Sequence, residues 1–170
     1  MPIASTLSFI KGLLVSLPMP GDLAPMNAYI TPPDPNIETD VATSYVWPTE
    51  GEENRDSEKA GTVPRNSGPG TASGLKNIEH DIDVYVVWFG ADNEPDIDCL
   101  FPGIVDAVMA TFRFSADPAT AIDPYTQEQS TLIDVGERMS YRITLRSLVE
   151  QAYNRYDCLL SLSVLEVIQA

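Results

Sequence analysis

Residues 78–89 constrain this chain more than any other segment. Ile78, His80, Ile82, Val84, Val86 and Trp88 hold one set of alternate positions. Glu79, Asp81, Asp83, Tyr85, Val87 and Phe89 hold the other. Successive strand side chains point to opposite faces, so a period of two over this length is a strand signature. The second set turns from acidic to apolar along the segment. The spacing therefore predicts a central strand, wet on one face in its first half and covered on both faces in its second.

The remaining elements are read around that strand. Leu7, Ile10, Leu14 and Leu17 fall on one helical face, with Ser5 or Thr6 to cap it and Pro18 and Pro20 to stop it. This predicts a helix over residues 6–17. A proline-rich extended segment follows, with a short edge strand at 27–31 and a second strand at 43–47 ended by Pro48. Ile97, Leu100, Phe101, Ile104, Val105, Val108 and Thr111 form the stripe of a second helix, capped by Asp96 or Asp98. Pro102 falls in its first turn, where proline is tolerated. A loop containing Pro118 and Pro124 leads to a strand at 131–135.

Met139, Tyr141, Ile143 and Leu145 then alternate with Ser140, Arg142, Thr144 and Arg146, a half-exposed strand. Ser147 and Glu150 fit a capping box, so 148–156 reads as a short helix, with a strand hairpin as the alternative. The last strand covers 159–168, with Leu160, Leu162, Val164 and Ile168 on one face. Helix, strands, loop, strand, helix and strands in that order predict an α+β fold: a mostly antiparallel sheet packed by two or three helices. The 170 residues suit a single domain.

Residues 49–76, TEGEENRDSEKAGTVPRNSGPGTASGLK, differ in kind. Apart from alanine, only Val63 and Leu75 are aliphatic. Such a composition buries too little apolar surface to offset the entropy of ordering. It predicts a long mobile loop. Four of the ten basic residues, Arg55, Lys59, Arg65 and Lys76, lie within it.

Charge excludes several partners. With 25 acids against 10 bases the net charge is -15. A surface of that sign repels phosphate backbones and anionic lipid, so neither sequence-specific nucleic-acid binding nor membrane association is expected. The apolar stretch 7–17 has no basic region before it, as a secretory signal would, and is too short to span a bilayer.

Candidate chemistry is sparse. His80 is the sole histidine and sits in the apolar register of a strand, with no nucleophile motif beside it. Asp92, Glu94, Asp96 and Asp98 offer oxygen ligands but lack the glycine and terminal glutamate of a calcium loop. They are better explained as capping and helix-dipole compensation. Gly68, Gly70 and Gly74 match no phosphate-binding pattern. Cys99 and Cys158 make no metal pattern and read as reduced structural thiols. No catalytic residue, cofactor site or metal site is assigned, and the chain reads as non-enzymatic. Arg142 and Arg146, on the polar face of one strand, can meet an acidic partner. With Arg55, Lys59, Arg65 and Lys76 they are the candidate subunit or partner interface.

The layout resembles the tail terminator proteins of long-tailed bacteriophages. The segments that carry the resemblance are the N-terminal STLSFIKGLLVSL, the central HDIDVYVVWFGADNEPDIDCLFPGIVDAVMATF, and the closing MSYRITLRSLV and DCLLSLSVLEVI. The 49–76 loop is long for that family. The resemblance implies a virion protein of the tail and neck, assembled in the host cytoplasm. It implies a homohexameric ring that caps the tail tube and joins it to the head. Its partners would be other copies of itself, the tail tube protein and a head-completion or stopper protein, with no cofactor. The alternatives are another neck, head-completion or minor capsid protein of the same particle, or a small soluble ligand-binding α+β domain.

Overall fold

The computed structural model describes residues 2–34, 41–55, 75–91, 97–113, 132–148 and 153–169. The elements run α1 (Pro2–Val15), β1 (Asn27–Tyr29), β2 (Thr43–Arg55), β3 (Leu75–Ala91), α2 (Ile97–Arg113), β4 (Leu132–Leu148) and β5 (Tyr153–Gln169). The five strands make one sheet in the order β1-β2-β3-β5-β4. Its pairings are antiparallel except β1 with β2, which is parallel. The α+β expectation holds, and β3 lies at the centre as its alternation required.

Both helices pack on one sheet face. Leu7, Ile10, Leu14 and Leu17 are buried there together with Phe101, Ile104, Val105 and Val108. The strands contribute Val46, Ile82, Val84, Val86, Trp88, Leu160, Leu162 and Val164. The helical stripes read from the sequence are thus the core-facing stripes, and Met109 and Phe112 extend that of α2. Trp88, Phe101 and Tyr156 tie α2 to the sheet: Phe101 lies 6.5 Å from Trp88 and 5.3 Å from Tyr156, centroid to centroid. These separations lie within the range of favourable aromatic pairs.

The end of α1 shows why it stops. Pro18 has no N–H to extend the ladder. Ser16 Oγ donates to the Gly12 and Leu13 carbonyls at 2.9 and 3.1 Å, and the Gly12 carbonyl also accepts the Ser16 N–H at 3.2 Å, so the hydroxyl supplements the backbone ladder at the helix end. Gly21 then takes φ +63°, a left-handed turn that glycine adopts freely.

Several boundaries differ from the sequence reading. β2 does not end at Pro48 but runs on to Arg55, so Thr49–Arg55 and Leu75–Lys76 are strand, not loop. The pairing of β1 reaches only Tyr45, so beyond it β2 is an edge strand where a proline is tolerated. A bulge at Thr49 absorbs the irregularity, and Thr49 Oγ1 donates to the Asp81 carbonyl at 3.0 Å. Residues 56–74, with Lys59 and Arg65, lie outside the described residues, as do the glycines of that segment and Asp92, Glu94 and Asp96.

The proposed strands 131–135 and 139–145 are one strand, β4, with register shifts between Leu132 and Asp134 and between Val135 and Met139. The proposed helix over 148–156 is overturned in favour of its alternative: β4 continues to Leu148, and β5 begins at Tyr153 paired with it. Asn154–Asp157 alternate between the two sheet faces, and Trp88 and Phe101 receive Tyr156 as a strand residue. That packing outweighs the local capping signal.

Candidate functional site

The second face of the sheet is set by the same alternation that built the core, and it divides into two halves. In one half, Tyr45, Val87 and Phe89 are buried as a separate apolar cluster, with Tyr85 packed against them. The cross-strand register sets Tyr45 opposite Tyr85 and Phe89 opposite Arg155. The Arg155 guanidinium stands 5.6 Å from the Phe89 ring centroid, within cation–π range. Its Nε donates to Asp157 Oδ1 at 2.8 Å, and both residues are buried. Its Nη2 lies 3.5 Å from the Tyr85 hydroxyl, a long and weak contact.

Each titration shift in this half has a cause. Burial pushes the Tyr85 phenol above its ordinary value, and a hydrogen bond to Asp157 adds to that. Tyr45 is raised by burial and then by the charge of Asp34. For Arg155 burial acts downward, but hydrogen bonds to Asp157 and Tyr85 more than offset it and the net shift is upward. Arg155 is therefore a permanently charged group neutralised in place, held by three side chains of its own sheet. That arrangement fixes β5 against β3; it does not present a reactive group.

The other half of this face is acidic. Glu50 stands opposite Asp81, and Glu52 opposite Glu79, all four exposed. Like charges directly opposed on a strand pair oppose folding. Two hydroxyls compensate in part: Ser163 Oγ donates to Glu79 at 2.8 Å, and Ser161 Oγ to Asp83 at 2.6 Å.

The predicted interface residues do not form one patch. Arg55 and Lys76 stand opposite each other where β2 and β3 meet the intervening segment. Arg142 and Arg146 lie on β4, opposite Leu159 and Arg155. Lys76 pairs with Ile168, so it lies nine positions along β5 from the level of Arg142 and 13 from that of Arg146, about 30–40 Å at strand rise. Arg142 is exposed.

The apolar face of β4 is less covered than a half-exposed strand would suggest. Tyr141 is 55% and Ile143 40% exposed, although their β5 partners Leu160 and Cys158 are buried. Met139, earlier on the same strand, packs against the core, so α2 reaches that part of β4 and leaves Tyr141 and Ile143 beyond it uncovered.

His80 is buried on the helix-bearing side of the sheet, opposite Gly51. A Cβ at position 51 would stand 3.4 Å from His80 Nδ1, so the glycine leaves room for the imidazole. Cys158 is a free, buried thiol. Burial pushes its pKa up to about 11, partly opposed by a hydrogen bond to the Arg142 backbone.

Sequence reasoning missed Arg155 and Asp157. Their i, i+2 spacing places them on one face only in a strand, and the helical reading of 148–156 hid it. Among the described residues no group of three or more histidine, cysteine or carboxylate side chains converges as metal ligands would. Nor is any described helix long and apolar enough to cross a membrane. No protein-family model matches the sequence, and no curated protein matches it.

Proposed function

We propose that this chain is a structural subunit of a ring that caps the tail tube of a long-tailed bacteriophage and joins it to the head. The observation that carries the reading is where the exposed apolar side chains fall. Of the six large apolar side chains exposed among the described residues, Tyr29, Trp47, Tyr141, Ile143 and Leu159 lie on the sheet, 39–55% exposed, and only Val15 lies on a helix. Aromatic residues exposed beside charged ones mark surfaces that other proteins cover.

The charge supports the same role. A net charge of -15 keeps free subunits soluble and apart until a complementary surface arrives. The partners would be copies of the same chain, the tube protein below and a head-completion protein above. The chain would bring geometry rather than catalysis to the joint.

The test is a joining assay. Infection without this chain should leave heads and tails unjoined in electron micrographs, and purified chain added to the lysate should restore joined particles. Normal joining in its absence would refute the reading. A chain that sediments with heads and never with tails would transfer the role to head completion.

A further inference from the structure

The geometry points to a head-to-tail contact between copies of this chain, in which the edge of β4 docks against the outer half of β2 of the next copy. The inference deepens the ring reading and rests on it for the biological setting. The contact itself stands on three observations.

First, among the described residues the sheet has two open edges. β4 pairs with β5 on one side only, and β1 covers β2 only from Thr43 to Tyr45. Unpaired strand edges template pairing with another chain unless they are guarded. Here the guards are local: Pro48 and the bulge at Thr49 on β2, and the register shifts before Met139 on β4. Beyond them, Glu50–Arg55 and Met139–Leu148 are regularly paired with their inner neighbours, so their outer edges are straight.

Second, the two edges carry opposite charge. β2 from Glu50 onward holds Glu50, Glu52 and Glu53 against Arg55. β4 from Met139 onward holds Arg142 and Arg146 and no acid. Glu50, Glu52 and Arg142 are exposed, and the exposed Tyr141 and Ile143 flank Arg142. A symmetric β4-to-β4 contact would set the basic edge against itself. A contact between the two different edges sets base against acid, and complementary charge selects partner and register.

Third, the topology suits continuation. In the order β2-β3-β5-β4 each pair is antiparallel, so β2 and β4 run in opposite directions. A neighbour related by rotation about an axis to which the strands are tilted would therefore add β2 antiparallel to β4, as at every junction inside β2–β4. The contact joins two different surfaces, so it propagates and closes into a ring when the rotation allows.

The register also sets a stagger. Arg142 is level with Leu159 of β5, whereas Glu50 is level with Ser163 and Glu52 with Leu165. Matching the charges shifts each copy by four to six residues, about 13–20 Å along the strands. Strand stagger of this kind is what closing a sheet on itself demands.

The test uses two charge-reversed chains, Arg142→Glu and Glu50→Arg/Glu52→Arg, with mass measured by light scattering at low salt and folding checked by thermal melts. Each variant alone should associate at least about tenfold more weakly than wild type. An equimolar mixture should recover the wild-type mass, because each acidic β4 then meets a basic β2 and each basic β4 an acidic β2. Either variant assembling alone like wild type would overturn the inference. So would folded variants whose mixture stays monomeric, or a wild-type chain that is monomeric up to millimolar concentration. Self-association of Glu50→Arg/Glu52→Arg but not of Arg142→Glu would replace it with symmetric β4 pairing. The joining assay is read separately. Joining that survives in charge-reversed chains sinks the edge contact and leaves the ring; the mixing result without any joining role does the reverse.

Discussion

Arg155 and Asp157 stand two positions apart on β5 and close an ion pair at 2.8 Å, with 5% and 3% of their surfaces exposed. The pair lies on the sheet face opposite the helices, against Phe89 and Tyr85, where a single charge would be costly. A buried pair is weak support for stability as a whole, but its halves depend on each other.

Asp157→Ala should therefore destabilise the fold by about 3–5 kcal/mol, since it strands the Arg155 charge. The double variant Arg155→Met/Asp157→Leu should cost less than that single change. Urea unfolding of the three proteins checks the order, and a double variant worse than Asp157→Ala would contradict it.

Phe101→Ala should cost about 3–5 kcal/mol, because its ring is fully buried between Trp88 and Tyr156. Tyr141→Ala removes a ring that is 55% exposed and should change stability by no more than about 0.5 kcal/mol. Equal effects at the two positions would mean that the edge of β4 is covered in the monomer.

Cys158 gives stability a pH dependence of known sign. Its folded pKa is about 11 against an ordinary 9.0, so above pH 9 the unfolded chain sheds the proton first. Stability should be level below pH 9 and fall as pH rises from about 9 to about 11, by up to roughly 2 kcal/mol. Cys158→Ala should flatten the profile between pH 9 and 10, above which the raised Tyr45 and Tyr85 phenols also lower stability. The thiol should also resist aromatic disulfide reagents at pH 8 until the protein is unfolded.

Ile143→Glu places an acid on the open edge of β4, where it would face the acidic outer half of β2 of the next copy. It should weaken self-association at least about tenfold while shifting monomer stability by no more than about 0.5 kcal/mol. Analytical ultracentrifugation against a thermal melt separates the two effects. Unchanged association would show that β4 makes no subunit contact.

Much of the fold was legible because it follows from side-chain periodicity. The alternation of 78–89 placed β3 at the centre, and the acidic-to-apolar change on its second face marked where Val87 and Phe89 are buried. The spacing of Leu7, Ile10 and Leu14 named the buried side of α1, although the helix runs from Pro2 to Val15 rather than over 6–17 and Leu17 is buried beyond its end. These patterns are local, and burial acts on each residue according to the face it occupies.

Tertiary contacts decided the rest. Whether 148–156 became helix or hairpin turned on Tyr156 packing against Trp88 and Phe101, residues more than forty positions away. The extension of β2 past Pro48 depended on β3 supplying partners for a segment whose own composition reads as loop. The exposure of Tyr141 and Ile143 was set by how far the helices reach across the sheet. Sequence by itself determined which faces the strands and helices possess, because that depends on neighbours along the chain. Which faces are covered, and which edges stay open, depended on strand order, because hydrogen-bonded pairing joins segments that the sequence keeps far apart.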